Sequence, residues 1–277
     1  MTQPDRSPIR VQWLGTAGFR IEFEKHVVLI DPYLTRASLA QCILGPVRSD
    51  TSAIARILPR ADAILVGHTH FDHVLDVPDI ARMTGATVYG SWSAARLCLA
   101  QGVAPERVHI VESGAGSAPN VVQSGPMRIR FLRSAHSGLI AGRAPFPGEL
   151  EPSKGEPMRV ERYRCGSVFT IEIEVGGRRL VHMGSARLVD DTPTGETDLL
   201  MLCTAGWRTS REFPERVVRA YAPRAVVLSH WDDFTRPIDQ RARVLPAMGV
   251  GTLARRVEQQ ASHPRVGTTE LLGAVIV

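Results

Sequence analysis

The stretch "ADAILVGHTHFDH" (61–73) runs from an apolar, β-compatible segment straight into three histidines and an aspartate within six positions. Polar side chains at that density are costly to place beside a core strand unless they share a ligand. His68 and His70 are two residues apart, so an extended backbone sets them on the same side. Asp72 and His73 follow a turn later and face a second point nearby. Neutral imidazoles with a carboxylate suit Zn, Fe, Mn or Ni, whereas a thiolate site would need paired cysteines. The four cysteines, Cys42, Cys98, Cys165 and Cys203, are scattered and form no C-x-x-C pair.

Working outward, "IRVQWLG", "FRIEFE" and "HVVLIDP" read as three successive strands, separated by "GTAG" and "EKH". "VPDIARMT" and "SWSAARLCLA" have helical spacing, with "ATVYG" a strand between them and Ser91 the cap of the second helix. "SVFTIEIEVGGRRLVHMGSA" is a hairpin turning at Gly176-Gly177. "MRIRFLRSAH", "RLVHMGSA", "TDLLMLCTAG" and "RAVVLSH" each carry a strand into a polar residue. Sites in open α/β sheets gather at the carboxyl ends of strands. Converging strand ends would bring His136 and His230 to the cluster of His68, His70, Asp72 and His73. His26 reads as part of a polar turn, His109 and His182 as strand residues, and His263 as a tail residue; none is assigned to the site.

The composition fits an ordinary globular chain: 277 residues, 44% hydrophobic and 22% charged. Its N-terminus lacks the apolar core of a signal peptide, and no apolar run reaches membrane-spanning length. With no disulfide framework, the reading is a cytoplasmic protein with no membrane partner. The net charge of +5 is nearly all arginine spread along the chain, with lysine only at Lys25 and Lys154. That dispersion argues against a nucleic-acid partner. Oligomeric state is not readable from the sequence. Residues 137–165 are rich in Gly and Pro and read as a long loop of the kind that forms lids. Trp207 and Arg208, after the "TDLLMLCTAG" strand, read either as a substrate rim, with a stacking ring and an anion-holding guanidinium, or as a tryptophan packing under a loop beside an exposed arginine.

H-x-H-x-D-H after an apolar strand, with "WLGTAGFRIEF" and "VVLIDPYL" upstream, resembles the metallo-β-lactamase superfamily, closest to its UlaG-like (L-ascorbate-6-phosphate lactonase-like) branch. The resemblance runs from about residue 9 to residue 235. It implies an α/β fold, a four-layer αββα sandwich, here as one domain over residues 1–277. It implies a first metal site of His68, His70 and His136 and a second of Asp72, His73 and His230, with Asp31 supporting the pocket from behind. One departure stands out. The family has an aspartate bridging both metals after a "GD" step, and "HMGSA" places Ser185 there. A neutral hydroxyl is a poor bridge. The expectation is therefore a full first site and a second site short of one anionic ligand, unless Asp190, Asp191, Asp232 or Asp233 substitutes.

The resulting expectation is a metal-dependent hydrolase carrying one or two Zn ions, with Mn or Fe as alternatives. Hydroxide held at the open metal position would attack an ester, lactone or phosphodiester-type bond of a small-molecule substrate, with Asp72 orienting the water. The alternatives are a mononuclear iron oxygenase of the persulfide dioxygenase kind and a non-catalytic metal- or ligand-binding relative. A flavodiiron-type enzyme fits less well, because that branch resembles H-x-E-x-D-H and position 70 here is His.

Overall fold

The computed structural model describes residues 7–112, 120–139, 142–152, 154–190, 192 and 194–277. The chain opens with β1 (Ile9–Gly15), β2 (Gly18–Phe23) and β3 (His26–Ile30), then α1 (Leu39–Leu44), α2 (Thr51–Ile57) and β4 (Ala63–Leu65). The motif helix α3 (Phe71–Val74) leads to α4 (Val77–Thr84), β5 (Thr87–Gly90), α5 (Trp92–Ala100) and β6 (Val108–Ile110). The second half runs β7 (Asn120–Ser124), β8 (Met127–Ser134), β9 (Val168–Val175), β10 (Arg178–Met183) and β11 (Thr197–Cys203). It closes with α6 (Glu215–Tyr221), β12 (Pro223–Ser229), α7 (Val250–Glu258), β13 (Arg265–Gly267) and β14 (Ala274–Ile276).

These strands form two seven-stranded sheets, ordered β14-β1-β2-β3-β4-β5-β6 and β13-β12-β11-β10-β9-β8-β7. Each is antiparallel over one half and parallel over the other: β1, β2 and β3 pair antiparallel, while β3, β4, β5 and β6 pair parallel. In the second sheet β7 to β10 form the antiparallel half and β10 to β13 the parallel half. Parallel strands need crossovers, and the helices supply them on the outer faces.

Side-chain alternation assigns the layers. Val28 and Ile30 of β3, with Ile9, Val11 and Trp13 of β1, face the second sheet's Ile129, Phe131, Ile171 and Ile173. Val27 and Leu29 point the other way, onto a cluster with Ile54, Ile80, Ala94 and Leu97 from α2, α4 and α5. Both faces of β3 are therefore buried, so its sequence is continuously apolar. Each fully buried Ile or Phe contributes about 1.5–3 kcal/mol relative to exposure. The result is the αββα sandwich. Ser91 caps α5, with Oγ accepting from Ala94 N, and Asp50 caps α2. At the β9–β10 turn Gly176 and Gly177 have φ of 55° and 70°, the left-handed pair a two-residue hairpin of this type requires.

Several elements lie outside the sequence reading. His26 opens β3, where its Nε2 lies 2.9 Å from Ser124 Oγ, instead of sitting in a turn. The C-terminal β14 returns to pair with β1. Of 137–165, residues 140, 141 and 153 lie outside the described residues; the rest is irregular apart from a single helical turn at Val160–Arg162. Among the described residues no helix is long and apolar enough to cross a membrane.

Candidate metal centre

Three chain segments deliver the histidines. β4 ends at Leu65, and Gly67 turns the chain so that its N–H donates to Asp31 Oδ1 at 2.6 Å. Only glycine fits there, because a Cβ at position 67 would lie 2.8 Å from Asp31 Oδ2. His68 and His70 follow in extended backbone, and α3 then rotates Asp72 and His73 inward, all four buried. His136 arrives two residues after β8, and His230 immediately after β12.

Two ligand sets result. His68, His70 and His136 form one and Asp72, His73 and His230 the other, with ligand atoms in each set within 4.8 Å of one another. A third grouping, Asp31, His68 and His73, links them. Hydrogen bonds on the outward nitrogens fix the tautomers. His70 Nε2 donates to Pro145 O at 2.8 Å, and His136 Nδ1 donates to Ser137 O at 2.7 Å, because a carbonyl can only accept. His73 Nδ1 donates to Asp31 Oδ2 at 2.9 Å. The opposite nitrogen of each ring, His70 Nδ1, His136 Nε2 and His73 Nε2, is left with its lone pair. This is the backing that orients imidazole ligands.

The arrangement fits a cation. His68 Nε2 lies 3.1 Å from the bare Nδ1 of His70. A proton on His68 Nε2 would satisfy that pair and leave His136 Nε2 unmatched; a cation satisfies all three. The Nδ1 atoms of His68 and His230 are buried without a hydrogen-bond partner. Electrostatics agree. Burial, reinforced by the neighbouring imidazoles, lowers His68 and His70 and pushes His136 down to about 4. Those lone pairs are free at neutral pH. Burial alone would raise Asp72, but His73, His230 and His70 outweigh it and hold the carboxylate ionised. For His73 burial is outweighed by Asp72 and Asp31, which raise it. Asp72 Oδ2 is 3.3 Å from His230 Nε2.

Ser185 sits beside the cluster, buried, with Oγ accepting from Ser137 N at 2.9 Å. Its hydroxyl thus braces the backbone next to His136. The aspartates considered as replacements are engaged elsewhere. Asp190 is exposed and paired with Arg216, Asp233 accepts from Thr235, and Asp232 is buried against Arg36. Asp191 lies outside the described residues.

Trp207 packs under a loop, with Arg208 against its ring. Trp207 is buried, its indole N–H donates to Met248 O at 2.7 Å, and Arg208 and Arg256 each lie 5.3 Å from its ring centroid. Arg208 also donates to Ala247 O. Cation–π stacking and backbone bonding hold both against the α7 entry loop, while the turn before them packs on the His136 segment, where Ser137 Oγ donates to Ala205 O. Trp231 is core, its ring 4.9 Å from that of Trp13 at a 31° tilt.

The sequence reading missed the supports of this end. Arg36 donates to Asp232 Oδ2 at 2.7 Å with both side chains fully buried, and Asp232 Oδ1 accepts from Thr16 N at 3.0 Å. Thr16 O in turn accepts from His230 N at 2.7 Å. The His230 loop is thereby latched to the β1–β2 turn. Thr16, Asp31, Arg36 and His230 all have φ between 43° and 56°. Left-handed backbone at four non-glycine residues costs energy that surrounding bonds must hold, a pattern typical of functional sites. His182, read as a plain strand residue, lies behind His73, with Nε2 donating to Ala17 O at 2.8 Å.

Comparison with known proteins agrees with this geometry. A family model described as a beta-lactamase superfamily domain matches residues 10–230. A UPF0173 metal-dependent hydrolase of Cupriavidus taiwanensis is 31% identical over 213 residues, covering 75% of this chain and 68% of that protein. Among solved structures, Igni18, a metallo hydrolase from Ignicoccus hospitalis, aligns over 98% of this chain and 99% of its own at TM-score 0.63 and 16% identity. CmlA, a diiron β-hydroxylase from Streptomyces venezuelae, aligns over 97% of this chain and 54% of its own at TM-score 0.62 and 14% identity. At such identities the structural likeness concerns the fold. The chain belongs to the metallo-β-lactamase superfamily, among its metal-dependent hydrolases.

Proposed function

We propose that the protein hydrolyses an ester, lactone or phosphodiester-type bond of a small molecule, with zinc held by His68, His70 and His136. The observation that carries this reading is the set of three converging ring nitrogens, two of them with tautomers fixed by carbonyls behind them. When bound, such an ion lowers the pKa of a bound water to about 7 and polarises the oxygen of the scissile bond.

The chain's own groups do the rest. Asp72, ionised and buried, orients the attacking water or accepts its proton when it is not itself a ligand. His73, backed by Asp31, and His230, latched through Thr16, complete a second and weaker set with a single carboxylate. The 137–165 segment reaches the site, since Pro145 O receives His70 and Cys165 O receives Thr69 N at 3.0 Å. We assign it the role of a cover over bound substrate. All four thiols are free, which accords with a reducing, cytoplasmic setting.

The test is hydrolysis of generic esters, lactones and phosphodiesters by protein stripped with chelator and reloaded with Zn, Mn or Fe. Activity should vanish on stripping and return with Zn. If no bond is cut, yet the iron form consumes oxygen with a persulfide, the protein is a mononuclear iron oxygenase and the hydrolase reading fails.

A further inference from the structure

The chain has eight phenylalanines. Phe19, Phe23, Phe131, Phe169 and Phe213 are buried. The three that are not, Phe71, Phe146 and Phe234, all flank the histidine cluster. Phe71 lies within the motif, between His70 and Asp72. Phe234 follows His230, with ring centroids 5.8 Å from that imidazole and 6.1 Å from Phe71. Phe146 is 39% exposed and follows Pro145, the residue whose carbonyl receives His70. Leu139, three residues after His136, is 45% exposed. These come from three separate segments, so no single amphipathic element explains their coincidence. Phe71 also meets buried Tyr33 edge-on at 5.7 Å, so these rings are anchored on the core while part of their apolar surface stays open beside the histidines, as a ligand's apolar part would require. The guanidinium read from sequence as an anion holder, Arg208, is stacked on Trp207 instead.

Resting on the hydrolase reading, we infer that the substrate is an uncharged ester or lactone whose acyl part is an aryl or alkyl group, gripped by Phe71, Phe146 and Phe234. In the reaction, water adds oxygen to the acyl carbon and the ester C–O bond breaks. The products are a carboxylate, an alcohol and a proton.

Two measurements separate this inference from the hydrolase reading. The first is fluorescence titration with N-phenyl-1-naphthylamine, a neutral apolar probe, on metal-free and zinc-loaded protein. Saturable binding is expected, weakened roughly tenfold in Phe146→Ala and Phe234→Ala by loss of apolar contact, and largely kept in Phe146→Leu. Ile276→Gln should leave it unchanged, because Ile276 is more exposed still, at 64%, but pairs with Arg10 at the opposite end of β1. The second compares kcat/KM for p-nitrophenyl octanoate, p-nitrophenyl acetate and bis(p-nitrophenyl) phosphate, with the octanoate expected to lead. Phe-dependent probe binding without turnover of any substrate would keep the apolar site and remove the hydrolase. Absence of saturable probe binding, equal binding by the alanine variants, or preference for the phosphodiester would overturn the inference.

Discussion

At the Gly176–Gly177 end of the sandwich, a cleft is lined by Glu174, Arg178, Arg179, Glu196, Asp198 and Arg224. At the other end of the same strands, ~20 Å along β10 to β12, lie Ser185, Thr204 and His230. Both ends are rich in polar side chains. In the first, each arginine answers a carboxylate or a carbonyl: Arg224 meets Asp198 at 3.0 Å, Arg179 reaches Glu172 and Glu196 O, and Arg178 donates to Val277 O. In the second, Nδ1 of His68, His182 and His230 and the hydroxyls of Thr16, Thr204 and Ser229 are buried with no partner. Burying such atoms unmatched costs free energy. Among the described residues the first cleft leaves one such atom, Arg179 Nε, against six at the histidine end. The difference separates a charged surface that nearly satisfies itself from one whose polar groups await something else.

The largest effect expected from breaking this contrast is at His68. In His68→Ala the first ligand set loses a nitrogen, and the group that would generate the nucleophile goes with it. Bound metal measured by elemental analysis should fall steeply, and hydrolysis should drop by orders of magnitude. His70→Ala should likewise remove most tightly bound metal. Metal content unchanged in both variants would sink the assignment of the first set.

Next comes the latch. Arg36 and Asp232 have side-chain exposures of 1% and 0%. Arg36→Met leaves Asp232 as an uncompensated buried charge, at an expected cost of about 3–5 kcal/mol in urea unfolding of the metal-free protein. Arg36→Met with Asp232→Asn should recover part of that loss, since the neutral amide strands no charge and its oxygen still accepts from Thr16 N. A single-variant cost below about 1 kcal/mol would mean that water reaches the pair.

That latch also shows where sequence reading stops. The histidine motif is legible because metal ligation compresses His68, His70, Asp72 and His73 into six positions, and strand-to-ligand steps mark His136 and His230. Layer assignment is legible too, because alternation in β1 and the uniformly apolar β3 follow directly from one or two buried faces. Arg36 carries no such signal. Its partner is 196 positions away, and a lone arginine in a polar loop looks solvated. Asp232 was visible, but as a stand-in ligand, because the sequence does not show the guanidinium that occupies it. For Trp207 and Arg208 the sequence leaves two places open for a related reason. A tryptophan after a strand suits a rim as well as a core, and only the Met248 carbonyl and the Arg256 face decide it.

Ser185 sharpens the contrast within the metal end. The wild type should retain nearer one ion than two per chain after dialysis, since Asp72 is the single carboxylate of the second set. Ser185→Asp adds an anionic oxygen beside His136 and should raise retention of the second ion. It also exchanges the hydroxyl that accepts from Ser137 N for a carboxylate able to accept the same bond, so the His136 loop should stay braced. Two ions held equally tightly by the unmodified protein would show that another group does the bridging.

The smallest effect is expected at the far cleft, and its smallness is the test. Arg224 is 70% exposed, and its partners Asp198 and Glu196 lie at 3.0 and 3.6 Å with exposures of 22% and 79%. Ion pairs in that setting are screened and must order long side chains, so they contribute about 0–1 kcal/mol. Removing Arg224 leaves no carboxylate stranded in the interior, because Asp198 Oδ2 keeps the Arg179 N–H at 2.9 Å and Glu196 stays in water. Arg224→Ala should therefore shift stability by no more than about 1 kcal/mol. Metal content and kcat/KM should match the wild type. A loss of activity at unchanged stability would contradict the division drawn between the two ends, because it would require the arginine cleft to act on the histidine cluster through the parallel strands β10, β11 and β12.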